Sequence, residues 1–248
     1  MLPVSIITGF LGSGKTTVLN HLLQHASLKN SLVIINEFGE VAIDHLLVSA
    51  PAENMRLLTN GCLCCEVKGD LVDTLTDVSR KRASGEAPAF DRILIETTGL
   101  ADPVPIVQTI VTDTDLSPLY RLDTVVGLVD AVHALTQLAT QDEVRKQIAV
   151  SDVLLLSKTD LVTPNARSEV EAAVKKINSG AELIPVLHGE IDPELLFGRG
   201  AVDGRAREAD LERWLGLDTH NTRMVGGGNI YTLHAGDIRT FTLIHDGR

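Results

Sequence analysis

The sequence predicts an α/β fold: a doubly wound, mostly parallel sheet, followed by the start of a small C-terminal α+β domain. Short apolar runs recur at 4–7, 32–35, 56–58, 93–95, 124–129, 153–156 and 183–187. They are continuously apolar rather than alternating, the pattern of parallel strands covered on both faces. Helical spacing fills most of the intervals between them. Val18, Leu19, Leu22, Leu23 and Ala26 form one stripe, Leu71, Val72, Leu75 and Val78 a second, and Val170, Ala173, Val174 and Ile177 a third. Strands alternating with helices build a sheet whose ligands sit beyond the carboxyl ends of its strands.

The composition narrows the function classes. With 248 residues and 44% hydrophobic content the chain can bury a full core. A net charge of −11 argues against broad electrostatic binding to nucleic acid or to an anionic membrane. Aromatic residues make up 3%, too few for base-stacking platforms. The apolar start lacks a basic flank and runs into a glycine-rich turn, so it reads as a strand and not a signal peptide. No run approaches the roughly 20 apolar residues of a membrane span. A reducing cytoplasm is the expected compartment, because the only cysteines are Cys62, Cys64 and Cys65, too close together to staple distant segments.

The first strand opens into Gly9, Phe10, Leu11, Gly12, Ser13, Gly14, Lys15, Thr16, the pattern G-x-x-x-x-G-K-[ST] between a strand and a helix. Glycines let the backbone N–H groups of such a loop turn inward onto phosphate oxygens, and the helix N-terminus adds its positive end. Gly9, Gly12, Ser13 and Gly14 thus form a phosphate cradle, Lys15 reaches the β and γ phosphates, and Thr16 offers a hydroxyl to Mg²⁺. The strand at 93–95 ends in Glu96, followed by Gly99. A phosphate-loop protein places there the acid that holds the Mg²⁺ shell, and a glycine whose N–H meets the γ-phosphate.

Ser157, Lys158 and Asp160 follow the strand at 153–156. A lysine stem there can lie over a purine while the carboxylate accepts two N–H groups from guanine. Adenine presents the wrong donor pattern and leaves that carboxylate unpaired, so GTP is favoured over ATP. Dispersed histidines add little. His133 follows the strand at 124–129 and reads as the start of a helix.

Between the second strand and the cysteines lies an acidic loop with Glu37, Glu40 and Asp44. Its position is that of a segment ordered by the γ-phosphate and released on hydrolysis. These carboxylates can orient water or bind metal; a solvated acidic loop is the plainer alternative. Three thiolates fill three of the four positions zinc prefers, leaving one for Glu37, a histidine or water. An incomplete set suits transfer of a metal better than a structural site. Buried structural thiols or a redox-reactive pair are the alternatives.

Taken together, GFLGSGKTT at 9–17, INEFGEVAIDHLLV at 35–48, GCLCC at 61–65, ETTGLADP at 96–103, SKTD at 157–160 and HGEIDPELLF at 188–197 resemble the CobW-like P-loop GTPases. That family comprises GTP-dependent metal chaperones linked to zinc and to cobalt handling. The resemblance implies a slow GTPase that alternates between GTP and GDP. Nucleotide would lie on Gly9, Gly12, Ser13, Gly14, Lys15, Thr16, Thr17, Gly99, Ser157, Lys158 and Asp160. Mg²⁺ would sit on Thr16 and Glu96, and Zn²⁺ or Co²⁺ on Cys62, Cys64, Cys65 and Glu37, for delivery to a client metalloprotein. No catalytic glutamine or arginine finger stands in the motifs, so catalysis falls to Lys15, Glu37, Glu40 and Glu96. An oligomer is compatible with the sequence. A nucleotide-dependent enzyme of cofactor biosynthesis and a non-hydrolysing zinc sensor or store are the competing classes.

Residues 1–198 are expected to form the GTPase domain. Glycine, alanine and alternating charge then mark 199–228 as a linker with a short helix near 211–215. Strands at 229–234 and 237–244 read as the beginning of a further, truncated or missing domain, since two isolated strands rarely hold together. The family usually carries a C-terminal β/α domain there.

Overall fold

The computed structural model describes residues 1–36, 55–58, 67–87, 89–198, 223–225 and 228–230. The chain divides into two compact units, Met1–Arg199 and Gly200–Arg248. In the first, seven strands form one sheet: β1 (Leu2–Gly9), β2 (Ser31–Asn36), β3 (Met55–Leu58), β4 (Arg92–Glu96), β5 (Tyr120–Asp130), β6 (Val153–Ser157) and β7 (Glu182–Pro185). Their order is β3-β2-β4-β1-β5-β6-β7. Every pairing within it is parallel.

Each apolar run of the sequence corresponds to a strand, and the core explains why. In β6, Val153 and Leu155 pack with one hydrophobic cluster, while Leu154 and Leu156 pack with a second. Successive side chains point to opposite faces, so a strand buried on both sides is apolar over most of its length. The first cluster joins β-strand residues to Val18, Leu19 and Leu22 of α1 (Lys15–Gln24) and to Val186, Ile191, Leu196 and Phe197. The second holds Ala134 and Leu138 of α4 (Ala134–Thr140), Val144 and Ile148 of α5 (Asp142–Val150), and Val170 and Val174 of α6 (Pro164–Ile177). Two further helices are α2 (Val67–Ser84) and α3 (Val104–Thr112). The buried Tyr120 hydroxyl ties the start of β5 to α2 by donating to the Leu75 carbonyl at 2.8 Å.

Local signals set the helix ends. Thr163 accepts from the Ala166 N–H with Pro164 at the first helical position, a well-formed start for α6. Helices α3, α4 and α5 have no counterpart among the three stripes read from the sequence. At seven to nine residues they are short, and their stability comes from packing rather than from an extended periodic face. β1 feeds α1 on one face and its neighbour β5 feeds α4 and α5 on the other, so a crevice opens where their carboxyl ends diverge.

The opposite edge of the sheet is closed by a buried ion pair. Asp123 is fully buried, accepts from Arg92 Nη1, and receives the Gly198 N–H at 3.1 Å. The Arg92 guanidinium lies 4.7 Å from the Phe197 ring centroid. The end of the first unit is thereby fastened to β4 and β5.

In the second unit the described residues form a hairpin of β8 (Arg223–Val225) and β9 (Gly228–Ile230), with Met224 opposite Asn229. Residues 223–225, which composition assigned to a linker, are therefore extended. The expected helix at 211–215 and the strand at 237–244 lie outside the described residues.

Burial alone would raise the pKa of Asp123, but the hydrogen bonds from Arg92 and Gly198 outweigh it and hold the carboxyl below its usual value. A depressed folded pKa stabilises the fold above the unfolded value, and that contribution is lost as pH falls through the folded one. Asp123→Ala should therefore cost about 3 kcal/mol in urea unfolding at pH 7, since it strands the Arg92 charge. The gap to the parent should close in acid below about pH 4.

Candidate functional site

β1 ends at Gly9 and α1 begins at Lys15, so the chain must turn within five residues. Gly9, Gly12 and Gly14 take φ of +144°, +72° and +99°, values that exclude most side chains. A Cβ on Gly9 would also lie 2.7 Å from the Leu128 carbonyl oxygen. Gly14 is the N-cap of α1 in the left-handed region; no side chain caps this end and its first turn holds no acid. The first N–H groups of α1 and its positive end are thus presented to an anion. Lys15 is 8% exposed, its ammonium donating to the carbonyls of Gly9 at 2.9 Å and Phe10 at 3.2 Å.

The neighbouring strand supplies the acid. The parallel register sets Ile7 beside Glu96, which puts the carboxylate at the mouth of the loop. Glu96 is buried, and Thr16 Oγ1 donates to its Oε1 at 3.0 Å. A hydroxyl and a carboxylate this close form an all-oxygen donor pair of the kind Mg²⁺ takes. Thr97 Oγ1 donates to Thr8 Oγ1 at 2.9 Å, locking β4 to β1 just before the two loops separate. Gly99 then runs flush against the phosphate loop. A Cβ there would stand 2.5 Å from the Leu11 nitrogen.

On the other side of β1, Ser157 Oγ donates to the Ser13 carbonyl at 2.7 Å, so the loop after β6 is pinned to the phosphate loop. Lys158 takes φ of +57°. Its ammonium meets Asp130 Oδ2 at 2.6 Å. The lysine side chain keeps 37% of its exposure while the carboxylate keeps 1%. The head is held by that contact while the side chain as a whole stays accessible. Asp130 Oδ1 accepts from the Val132 N–H at 2.8 Å, so both of its oxygens are used. Asp160 is exposed in the single turn Thr159–Leu161. His133 is exposed at the start of α4 without capping it. Gly189, φ +80°, sits against α1, where a Cβ would be 2.8 Å from the Thr17 carbonyl oxygen. The 188–197 segment therefore abuts the first turn of that helix.

Gly9, Gly12, Ser13, Gly14, Lys15, Thr16, Thr17, Glu96, Gly99, Ser157, Lys158 and Asp160 thus gather at one edge of the sheet. Glu37, Glu40, Asp44, Cys62, Cys64 and Cys65 lie outside the described residues. Among the described residues no group of three or more His, Cys, Asp or Glu is placed to hold a metal ion, and no helix is long and apolar enough to cross a membrane.

Asp130 and Gln147 escape a reading from sequence. Asp130 stands one residue beyond the apolar run 124–129, and a carboxylate just after a strand was its only available signal. Gln147 is buried in α5 and bonds to the loop after Glu96; only the packing of α5 reveals it.

A family model described as CobW/HypB/UreG, nucleotide-binding domain, matches residues 3–185. The zinc chaperone YjiA of Escherichia coli is 41% identical over 79% of this chain and 61% of its own. The zinc-regulated GTPase metalloprotein activator 1 of Schizosaccharomyces pombe is 35% identical over 77% of this chain and 47% of its own. The crystal structure of Zn(II)-bound YjiA GTPase from E. coli superposes with a TM-score of 0.62 at 32% identity, covering 82% of this chain and 63% of that one. The chain thus spans less than two thirds of the length of these relatives.

If Asp130 sets the position of Lys158, Asp130→Ala and Lys158→Ala should each weaken GDP binding about tenfold. The double variant should be no weaker than either single one, as for two members of one interaction. Titration with a fluorescent guanine nucleotide measures all three.

Proposed function

Since the chain belongs to the CobW/HypB/UreG nucleotide-binding family, we propose that it is a GTP-hydrolysing metallochaperone that carries zinc on Cys62, Cys64 and Cys65. Its nucleotide state would govern delivery to a client metalloprotein. The observation that supports nucleotide hydrolysis best is the 3.0 Å contact between Thr16 and Glu96 beside the buried Lys15. Guanine is favoured by Ser157, Lys158 and Asp160, and zinc by the names of the relatives, with cobalt as the alternative cargo.

On this reading the Lys15 ammonium leaves two neutral carbonyls for the β and γ phosphates. Charge-assisted hydrogen bonds to an anion are stronger than those to the two carbonyls, so phosphate oxygens compete for the ammonium once GTP is present. Phosphate oxygens meet the uncapped N–H groups of α1 and the Gly99 N–H. Thr16 and Glu96 would hold Mg²⁺, which when bound neutralises charge developing between the β and γ phosphates. Glu37 and Glu40 orient the attacking water, and the loop that carries them couples the γ-phosphate to the cysteines.

Zinc and GTP act on the same chain, yet the energies differ in scale. Thiolate sites bind zinc with about 10 to 16 kcal/mol, whereas a tenfold change in affinity needs about 1.4 kcal/mol. A small displacement of one ligand, such as Glu37, is therefore enough to switch retention to release.

Zn²⁺ affinity measured with a non-hydrolysable GTP analogue and with GDP tests the proposal. A difference of tenfold or more is expected, abolished in Cys64→Ala. Equal affinities in the two nucleotide states, with Cys64→Ala binding zinc like the parent, would sink it.

A further inference from the structure

Helix α5 grips the loop that follows Glu96. Gln147 Nε2 donates to the Gly99 carbonyl at 3.2 Å and to the Ala101 carbonyl at 3.0 Å. One residue earlier, Lys146 Nζ meets Asp102 Oδ2 at 2.8 Å, and Asp102 Oδ1 accepts from the Val104 N–H at the start of α3. Consecutive side chains of one helix thus hold Gly99, Ala101 and Asp102, and Gly99 is the residue that lies against the phosphate loop.

The amide of Gln147 is committed to this task. It is 2% exposed, and its Oε1 has no hydrogen-bond partner among the described residues. Both groups it faces are carbonyl oxygens, so only the NH₂ end can point at them. A buried amide with an unsatisfied oxygen costs stability. The cost is offset by two donated bonds that restrain one short loop.

The platform behind the grip is rigid. Asn178 Nδ2 donates to the carbonyls of Ile148, Ala149 and Ser151, tying up the C-terminal end of α5. Ser151 Oγ donates to the Gln147 carbonyl at 2.6 Å and lies 2.2 Å from where a Cβ on Gly127 of β5 would be, so the end of the helix sits close on the sheet through this one small side chain. Asp152 Oδ2 accepts the Val125 N–H at 2.7 Å. A helix seated this closely on β5 can fix the position of a loop leaving β4.

We propose that Gln147, supported by Lys146, is a positioning residue for recognition of the γ-phosphate: it holds Gly99 with its N–H beside the phosphate loop. Gln147 does not touch the nucleotide and acts through the carbonyls of Gly99 and Ala101. The inference rests on the GTP reading given above and deepens it. It predicts an asymmetry. A ligand with a γ-phosphate depends on the grip, and one without it does not.

Gln147→Met keeps the length and bulk of the side chain and removes both donors. Its affinity for guanosine 5′-(β,γ-imido)triphosphate should fall about tenfold, while its affinity for GDP stays within about twofold. Lys146→Met, at a half-buried position, should show the same asymmetry at about threefold, and it decides the matter alone if Gln147→Met does not fold. Parallel losses for both nucleotides, or no loss for either, overturn the inference. A parent chain that binds neither nucleotide overturns the GTP reading and this inference together; symmetric variants of a parent that binds both overturn only the inference.

Discussion

The site depends on one close approach, between Gly99 and Leu11. Two loops leaving adjacent parallel strands meet there with no room for a methyl group, since a Cβ on Gly99 would stand 2.5 Å from the Leu11 nitrogen. No side chain at position 99 can enter this contact, so the two loops meet through the backbone of Gly99. The Ile7 to Glu96 register, the Thr97 to Thr8 hydrogen bond and the Thr16 to Glu96 contact all act within a few residues of it. Gly99 is what allows the acid of one strand and the phosphate loop of the next to serve a single ligand.

Stability is distributed unevenly around this point. Away from the site, specific partners serve several polar groups: Thr163 caps α6, Asn178 closes the end of α5, and Asp123 pairs with Arg92. At the carboxyl edge of the sheet the local arrangements are less ordinary. The N-terminus of α1 has no side-chain cap, Lys15 is buried against neutral carbonyls, and Lys158 is held in a left-handed backbone. Departures from local preference of this kind persist where surrounding structure overrides them, and they collect at functional sites. The grip of α5 and the Asp130 to Lys158 pair supply that constraint from opposite sides of β1.

Much of this was legible in the residues. Seven apolar runs named seven strands because parallel strands buried on both faces leave few polar positions to confuse the pattern. The glycines of the phosphate loop were legible for the same reason that they are needed, since few other residues take their backbone angles. Less visible were α3, α4 and α5, whose seven to nine residues give too few turns for a periodic stripe. Asp130 was missed because its partner is 28 residues away, and Gln147 because its acceptors are backbone carbonyls that any residue provides. Both roles exist only once the sheet has set β4, β5 and β6 side by side.

If the contact of Gly99 with Leu11 organises catalysis, the most direct measurement is the GTP turnover of Gly99→Ala, in protein whose unfolding midpoint in urea is compared with that of the parent. The added methyl must separate the loops and move the N–H at position 99 away from the phosphate loop. Turnover about a hundredfold below the parent in a folded variant is the predicted result, the scale seen when one donor to a developing anion is lost. Turnover within about threefold of the parent would contradict the account, because the close approach would then be a feature of packing alone.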